Sequence, residues 1–128
     1  MTADIAAIRK GIDDALRAAA PTLNAYAYPE PQPEYPCWRV GFIDSIDPHQ
    51  GFCSADLLRV DLEVMVADAD LENATRQLES IISSGIVDAL EAAQTSAWST
   101  CRAEQIRNFR QLDDVNGLAC DVALVVNV

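Results

Sequence analysis

Lysine is almost missing from this chain. Lys10 stands alone, and nine lysines and arginines face twenty aspartates and glutamates, a formal net charge of −11. The excess is even: residues 1–64 carry ten acids and five bases (−5), residues 65–128 ten and four (−6). Counterion release by basic side chains drives nucleic-acid affinity, so a chain this acidic is not expected to grip DNA or RNA. DNA passing close by without adhering remains compatible with it. Histidine is equally scarce. His49 is the single one, which leaves no Ser-His-Asp set and no clustered partner for zinc. Five scattered glycines form neither a P-loop nor a dinucleotide fingerprint. The four cysteines (Cys37, Cys53, Cys101, Cys120) contain no C-x-x-C pair. Cys101 and Cys120 fall inside strand-like patterns, where a thiol acts as a small apolar side chain, and reduced structural cysteines are expected. Apolar runs fall well short of the roughly 20 residues that span a membrane. The N-terminal region, with Asp4, Asp13 and Asp14, carries no basic segment of a secretion signal.

What is present is a globular composition: 128 residues, half of them apolar and 23% charged, fitting one domain. The organising stretch is Asp56 to Ala67. Leu58, Val60, Leu62, Val64 and Val66 alternate there with Arg59, Asp61, Glu63 and Met65, the period of a strand with one buried face. The period then changes. Leu71, Ala74, Leu78, Ile81 and Ile82 share one face of a helix that Asp68 or Asp70 can cap. Ser84 and Gly85 break it, and Ile86, Val87, Leu90 and Ala93 restart a second helix, with Ser84 as a plausible cap. A second long alternation, Leu118, Cys120, Val122, Leu124 and Val126, follows the tight-turn pair Asn116-Gly117. Both alternations predict that even-numbered residues form the core.

The remaining segments fill in the order. Thr2 opens a helix whose apolar face is Ile5, Ile8, Ile12, Ala15, Leu16 and Ala19, ended by Pro21; Gly11 weakens it by about 1 kcal/mol relative to alanine. Residues 22–28 read as a short strand. Prolines 29, 31, 33 and 36 then impose an extended, polyproline-like arm or structured loop. Residues 37–43 form a strand, 44–55 a wide turn-rich loop, and 100–107 a strand before the stretch 108–117. The order is helix, short strand, proline arm, hairpin, helix pair, hairpin. It predicts an α+β fold: a mostly antiparallel sheet of four or five strands with helices on one face.

No catalytic constellation accompanies this. Asp44 with Asp47, or Asp68 with Asp70 and Glu72, resemble half a metal site, but acids at a strand-to-helix junction suit a helix N-terminus. Asp113-Asp114 precedes a turn and reads as solvated, as does His49 in its loop. No catalytic, cofactor-binding or metal residue is assigned, and no cofactor is expected.

Several phrases resemble one family. I-D-S-I-D at 43–47 with Gly51-Phe52, L-L-R-V-D-L-E-V-M-V-A-D-A-D at 57–70 with its helix and S-S-G, and R-A-E-Q-I-R-N-F-R at 102–110 with the strand from Asn116-Gly117 onward are similar to segments of tail terminator proteins of long-tailed actinobacteriophages. The proline arm P-E-P-Q-P-E-Y-P is similar to a loop of those proteins. Cys53, Ser54 and the insert R-N-F-R-Q-L-D-D depart from the pattern. The resemblance covers most of the chain after about residue 23. It implies an α+β subunit of a homo-hexameric ring in the virion, at the head–tail junction, assembled in the host cytoplasm. The ring caps the tail tube protein, ends elongation and offers a surface to the head–tail connector or stopper protein. Six copies would carry 6 × −11 = −66 formal charges, so that DNA crosses the lumen without tight binding.

Two other readings stand beside this one: a neighbouring neck component such as a head-closure or adaptor protein, and a small metal-dependent enzyme built on the Asp-rich loops. For the ring, elimination points to the loops, since strands and helices commit their apolar faces to the core. Tyr28, Pro31, Tyr35, Asp47, His49, Phe52, Arg107, Phe109 and Arg110 are the expected contacts to subunits or tube, because aromatics and arginines carry most interface energy. The plain alternative is that these rings, and Tyr26, tuck back onto their own domain.

Overall fold

A computed structural model describes residues 4–28, 31–45, 57–93, 95–112 and 115–128. Its centre is the pair β3 (Leu57–Ala67) and β5 (Gly117–Asn127), antiparallel and in unbroken register from Leu57 opposite Asn127 to Ala67 opposite Gly117. Gly117 is demanded by that closure, since a Cβ there would lie 2.1 Å from the Val66 carbonyl oxygen. β2 (Cys37–Ser45) lies antiparallel on the other side of β3, with its register shifted between Val40 and Ile43. β4 (Thr100–Gln111) lies antiparallel outside β5, with two irregularities. β1 (Asn24–Tyr26) runs parallel to β2, so the sheet order is β1-β2-β3-β5-β4.

Three helices cover one face: α1 (Ile5–Ala19), α2 (Leu71–Ile81) and α3 (Val87–Ala92). α2 and α3 are joined by the kinked turn Ile82–Ile86, where Gly85 takes φ +88°, a left-handed conformation that a side chain disfavours. Leu58, Val60, Leu62, Val64 and Val66 of β3 and Cys120, Val122, Leu124 and Val126 of β5 are all fully buried. They meet Ile8, Ile12 and Leu16 of α1, Ala74 and Leu78 of α2 and Leu90 of α3 in a single core. Fully burying one such Val, Leu or Ile is worth about 1.5–3 kcal/mol, which is why parity along these strands is fixed so firmly. The fold is α+β with a mostly antiparallel five-stranded sheet and helices on one face, as the periodicities predict.

The differences are local. β1 is three residues long, where 22–28 was expected. Asp4 caps α1, its Oδ1 accepting from Ala7 N at 3.1 Å, and Thr2 lies outside the described residues. Asp70 caps α2, accepting from Glu72 N at 2.9 Å and Asn73 N at 3.5 Å, while α3 carries no side-chain cap at Ile86. β4 continues to Gln111, so much of the supposed insert after Arg107 is strand. The opposite sheet face is also partly closed. Cys37, Met65 and Ala119 form a second small cluster beneath Tyr26, Tyr35 and Leu112.

Candidate interaction surface

Three of the nine expected contact residues meet on the helix-free face of the sheet. Cross-strand register sets Arg39 opposite Glu63 and Glu63 opposite Asp121, one row of charges across three strands. Glu63 accepts from the guanidinium groups of both Arg39 and Arg110, and Arg110 Nη1 reaches Asp121 Oδ1 at 3.2 Å. The Glu63 side chain is only 12% exposed, so this is a partly desolvated ion network tying β2, β3, β5 and β4 together.

In the next row the apolar cluster Cys37, Met65 and Ala119 carries the proline arm. The arm folds back on its own domain. Tyr26 Oη accepts from Glu34 N at 3.0 Å, Asn24 Nδ2 donates to the Glu34 carbonyl at 3.0 Å, and Asn24 N donates to the Pro36 carbonyl at 3.2 Å. Between arm and network lies a cleft of about 130 Å³ bounded by Pro31, Pro33, Tyr35, Arg39, Glu63 and Arg110, among others. Three expected contact residues, Pro31, Tyr35 and Arg110, therefore meet at one place. Tyr35 and Arg110 meet it engaged with their own chain, Tyr35 against the cluster and Arg110 on two carboxylates.

Tyr28 sits elsewhere, 58% exposed, its ring stacked on the Arg9 guanidinium at 4.9 Å. Arg9 is a staple of the fold. Its Nη1 donates to the carbonyls of Ala27 (2.9 Å) and Val40 (3.0 Å), and its Nη2 to that of Gly41 (2.8 Å). Burial lowers its pKa, opposed by Tyr28, but an arginine stays charged at any relevant pH. The bonds to Val40 and Gly41 hold β2 at its register shift, and the shift turns Phe42 outward to 70% exposure. Phe42 was missed in the sequence because alternation from Trp38 and Val40 places it in the core. Gly41 beside it was the available signal, a glycine inside a strand often marking a bulge. Phe109 is 59% exposed on β4, and Ile106, not singled out before, is 40% exposed on the same strand. Arg107 lies on β4 opposite Asp121, its side chain outside the described residues. Asp47, His49 and Phe52 also lie outside them, as does Cys53.

The candidate acids at the start of α2 are committed locally. Asp68 Oδ1 accepts from Asp70 N and its Oδ2 from Gln77 Nε2, both at 2.9 Å, and Glu72 pairs with Arg76 at 2.7 Å. Among the described residues no three His, Cys, Asp or Glu side chains are grouped to hold a metal ion. Cys37, Cys101 and Cys120 are free and buried, and burial pushes each thiol up to about 11. Among the described residues no helix is long and apolar enough to cross a membrane. A comparison of the chain with models of known protein families gives no match, and a search of curated proteins gives none either.

Proposed function

We propose that this chain is the ring-forming subunit that caps the tail tube of a long-tailed bacteriophage, ends its elongation and joins it to the head connector. The observation that carries the reading is the set of matching phrases at 43–47, 57–70 and 102–110, which occur in the order that the resemblance calls for. Physical features support an assembling subunit. Large rings stand exposed on rigid strands, Phe42 and Phe109 above all, where a monomer gains little by exposing them. The strong negative charge suits a lumen that lets DNA through without holding it. In this reading the protein is structural, not catalytic, and works as a homo-hexamer at the head–tail junction of the virion.

The test is complementation. Extracts of a phage mutant lacking its terminator accumulate overlong tubes that fail to join heads. Added purified protein should restore tubes of uniform length and infectious particles, with gold-labelled protein at the head-proximal end. Labelled protein on the head side of a connector, with tube length unchanged, would transfer the chain to a neck-adaptor role.

A further inference from the structure

The helix-free face of the sheet has a far lighter cover than the helical one. Its apolar cluster is three residues, Cys37, Met65 and Ala119, with Tyr26, Tyr35 and Leu112 laid against it. Tyr35 comes from the proline arm, and no residue of the stretch 31–35 belongs to the main core or packs on it. None of these five is buried: Pro31, Gln32 and Glu34 are exposed, Pro33 and Tyr35 partly so. Pro31 and Pro33 have no N–H to donate. Glu34 is held by two residues at β1, its N donating to Tyr26 Oη and its carbonyl accepting from Asn24 Nδ2, both at 3.0 Å. Toward the ion network the arm stands off, leaving the cleft of about 130 Å³. Cys37, two residues beyond Tyr35, is nonetheless 0% exposed.

We propose that residues 31–35 are a strap that lifts as a unit, pivoting at Pro36, while the rest of the fold stays closed, and so uncovers the cluster of Cys37, Met65 and Ala119. Lifting breaks the two bonds at Glu34 and parts Tyr35 from the cluster, and it leaves the main core in place. An opening that gives up few buried apolar contacts lies well below global unfolding in free energy. The neighbours of the strap stay anchored. Asn24 N holds the Pro36 carbonyl at 3.2 Å, and β2 is paired with β3 from its first residue, Cys37 opposite Met65. β1 is held from α1, by Arg17 on the Ala25 carbonyl and by Arg9 on that of Ala27. The prolines suit the role, since a chain with fixed φ moves as a stiff piece and loses little freedom when it is laid down again. Closed, the strap hides a small apolar floor beside the network of Arg39, Glu63 and Arg110; lifted, it offers that floor to the surroundings. The inference goes beyond the ring reading and stands without it.

Three buried thiols report the opening site by site, Cys37 under the strap and Cys101 and Cys120 in the main core. The full chain carrying Cys53→Ser is treated with iodoacetamide at pH 8 over a series of urea concentrations below the unfolding transition. Peptide mass spectrometry follows each cysteine. Cys37 should be modified roughly tenfold faster than Cys101 and Cys120, or more, and with a shallower dependence on urea because its opening exposes less surface. Tyr26→Phe keeps the ring and removes the acceptor of the Glu34 bond, so it should speed Cys37 about 2–10-fold. Ile12→Val, a mild change in the main core, should speed Cys101 and Cys120 by about the same factor and leave Cys37 unchanged. One rate and one urea slope for all three thiols, or a response of Cys37 to Ile12→Val equal to theirs, overturns the proposal, because the arm then opens only with the whole fold. Early labelling of Cys37 that Tyr26→Phe leaves unchanged overturns it as well, because something other than the strap then covers the thiol.

Discussion

Replacing Gly11 by alanine sets two magnitudes of opposite sign against each other. In a helix interior the change should stabilise by about 0.5–1 kcal/mol, because glycine loses more backbone freedom on folding. Here the added Cβ would lie 2.8 Å from Trp98 Cζ3 and 3.0 Å from Cη2, closer than carbon atoms approach. Trp98 is 5% exposed and belongs to the core with Ile8, Ile12 and Leu90, so its ring has little room to retreat. Overpacking of this kind costs about 1–3 kcal/mol. The net expectation is a loss of about 1 kcal/mol, a fall of roughly 3–4 °C in melting temperature for a chain this size. Urea titration followed by tryptophan fluorescence measures it. A gain of about 1 kcal/mol would refute the packing argument outright. A second measurement tests the cause: in a Trp98→Leu background the clash is gone, and Gly11→Ala should then turn stabilising. If it destabilises equally in both backgrounds, the indole is not the reason for the glycine.

Val64→Asp should unfold the protein at room temperature, since a charge would replace a fully buried valine on the central strand; a cooperative melt near that of the wild type would sink the face assignment. Glu63→Ala, one residue away on the opposite face, should cost about 1–3 kcal/mol because it removes the carboxylate that Arg39 and Arg110 share; a loss in urea titration within about 0.5 kcal/mol of zero would mean the network is loose. For the thiols, folded values near 11 against an ordinary 9 mean that the folded state keeps protons the unfolded chain has already released. Stability should therefore be fully present below pH 9 and fall between pH 9 and 11, by at most about 1.4 kcal/mol per pH unit per thiol. In a Cys53→Ser variant, iodoacetamide at pH 8 should leave Cys37, Cys101 and Cys120 unmodified until denaturant is added; rapid native labelling would contradict their burial. A gel shift with duplex DNA at physiological salt should show no retention at micromolar protein.

How much of this was legible follows from the distance over which each signal acts. The parity of Leu58 to Val66 and of Cys120 to Val126 is written residue by residue, since a one-residue slip would expose every apolar side chain of the strand. Asp70 as the α2 cap and the break at Gly85 are equally local. The bulge in β2 is not. It depends on Arg9, 31 and 32 residues away, binding the Val40 and Gly41 carbonyls. That tertiary pin overrides an alternation that would have buried Phe42. The odd face of the sheet misled for a related reason. Arg110 reads in sequence as an interface contact and Arg39 and Glu63 are not singled out there, and only the register β2-β3-β5-β4 brings the three into one network. Tyr35 reads as a free aromatic on a stiff arm, yet the arm turns back through Asn24 and Tyr26, so part of the ring is spent on Met65 and Ala119.

The two margins of the sheet bear on what kind of assembly it can join. At β1 the backbone acceptors are already occupied from α1: Arg17 Nη2 donates to the Ala25 carbonyl at 2.6 Å, and Arg9 to that of Ala27. A strand of three residues whose Ala25 carbonyl is held this way, with Ala27 held just beyond it, makes a poor template for another chain. β4 at the other margin is twelve residues long, but its two irregularities interrupt the regular ladder that an incoming strand would need. Edge-to-edge extension of the sheet requires two receptive margins, and this fold offers neither a second one nor a regular first. A contact at β4 must then draw on side chains more than on backbone pairing. Arg102, Glu104, Gln105, Ile106 and Phe109 are among the side chains it exposes, a mixture of charge, amide and apolar area.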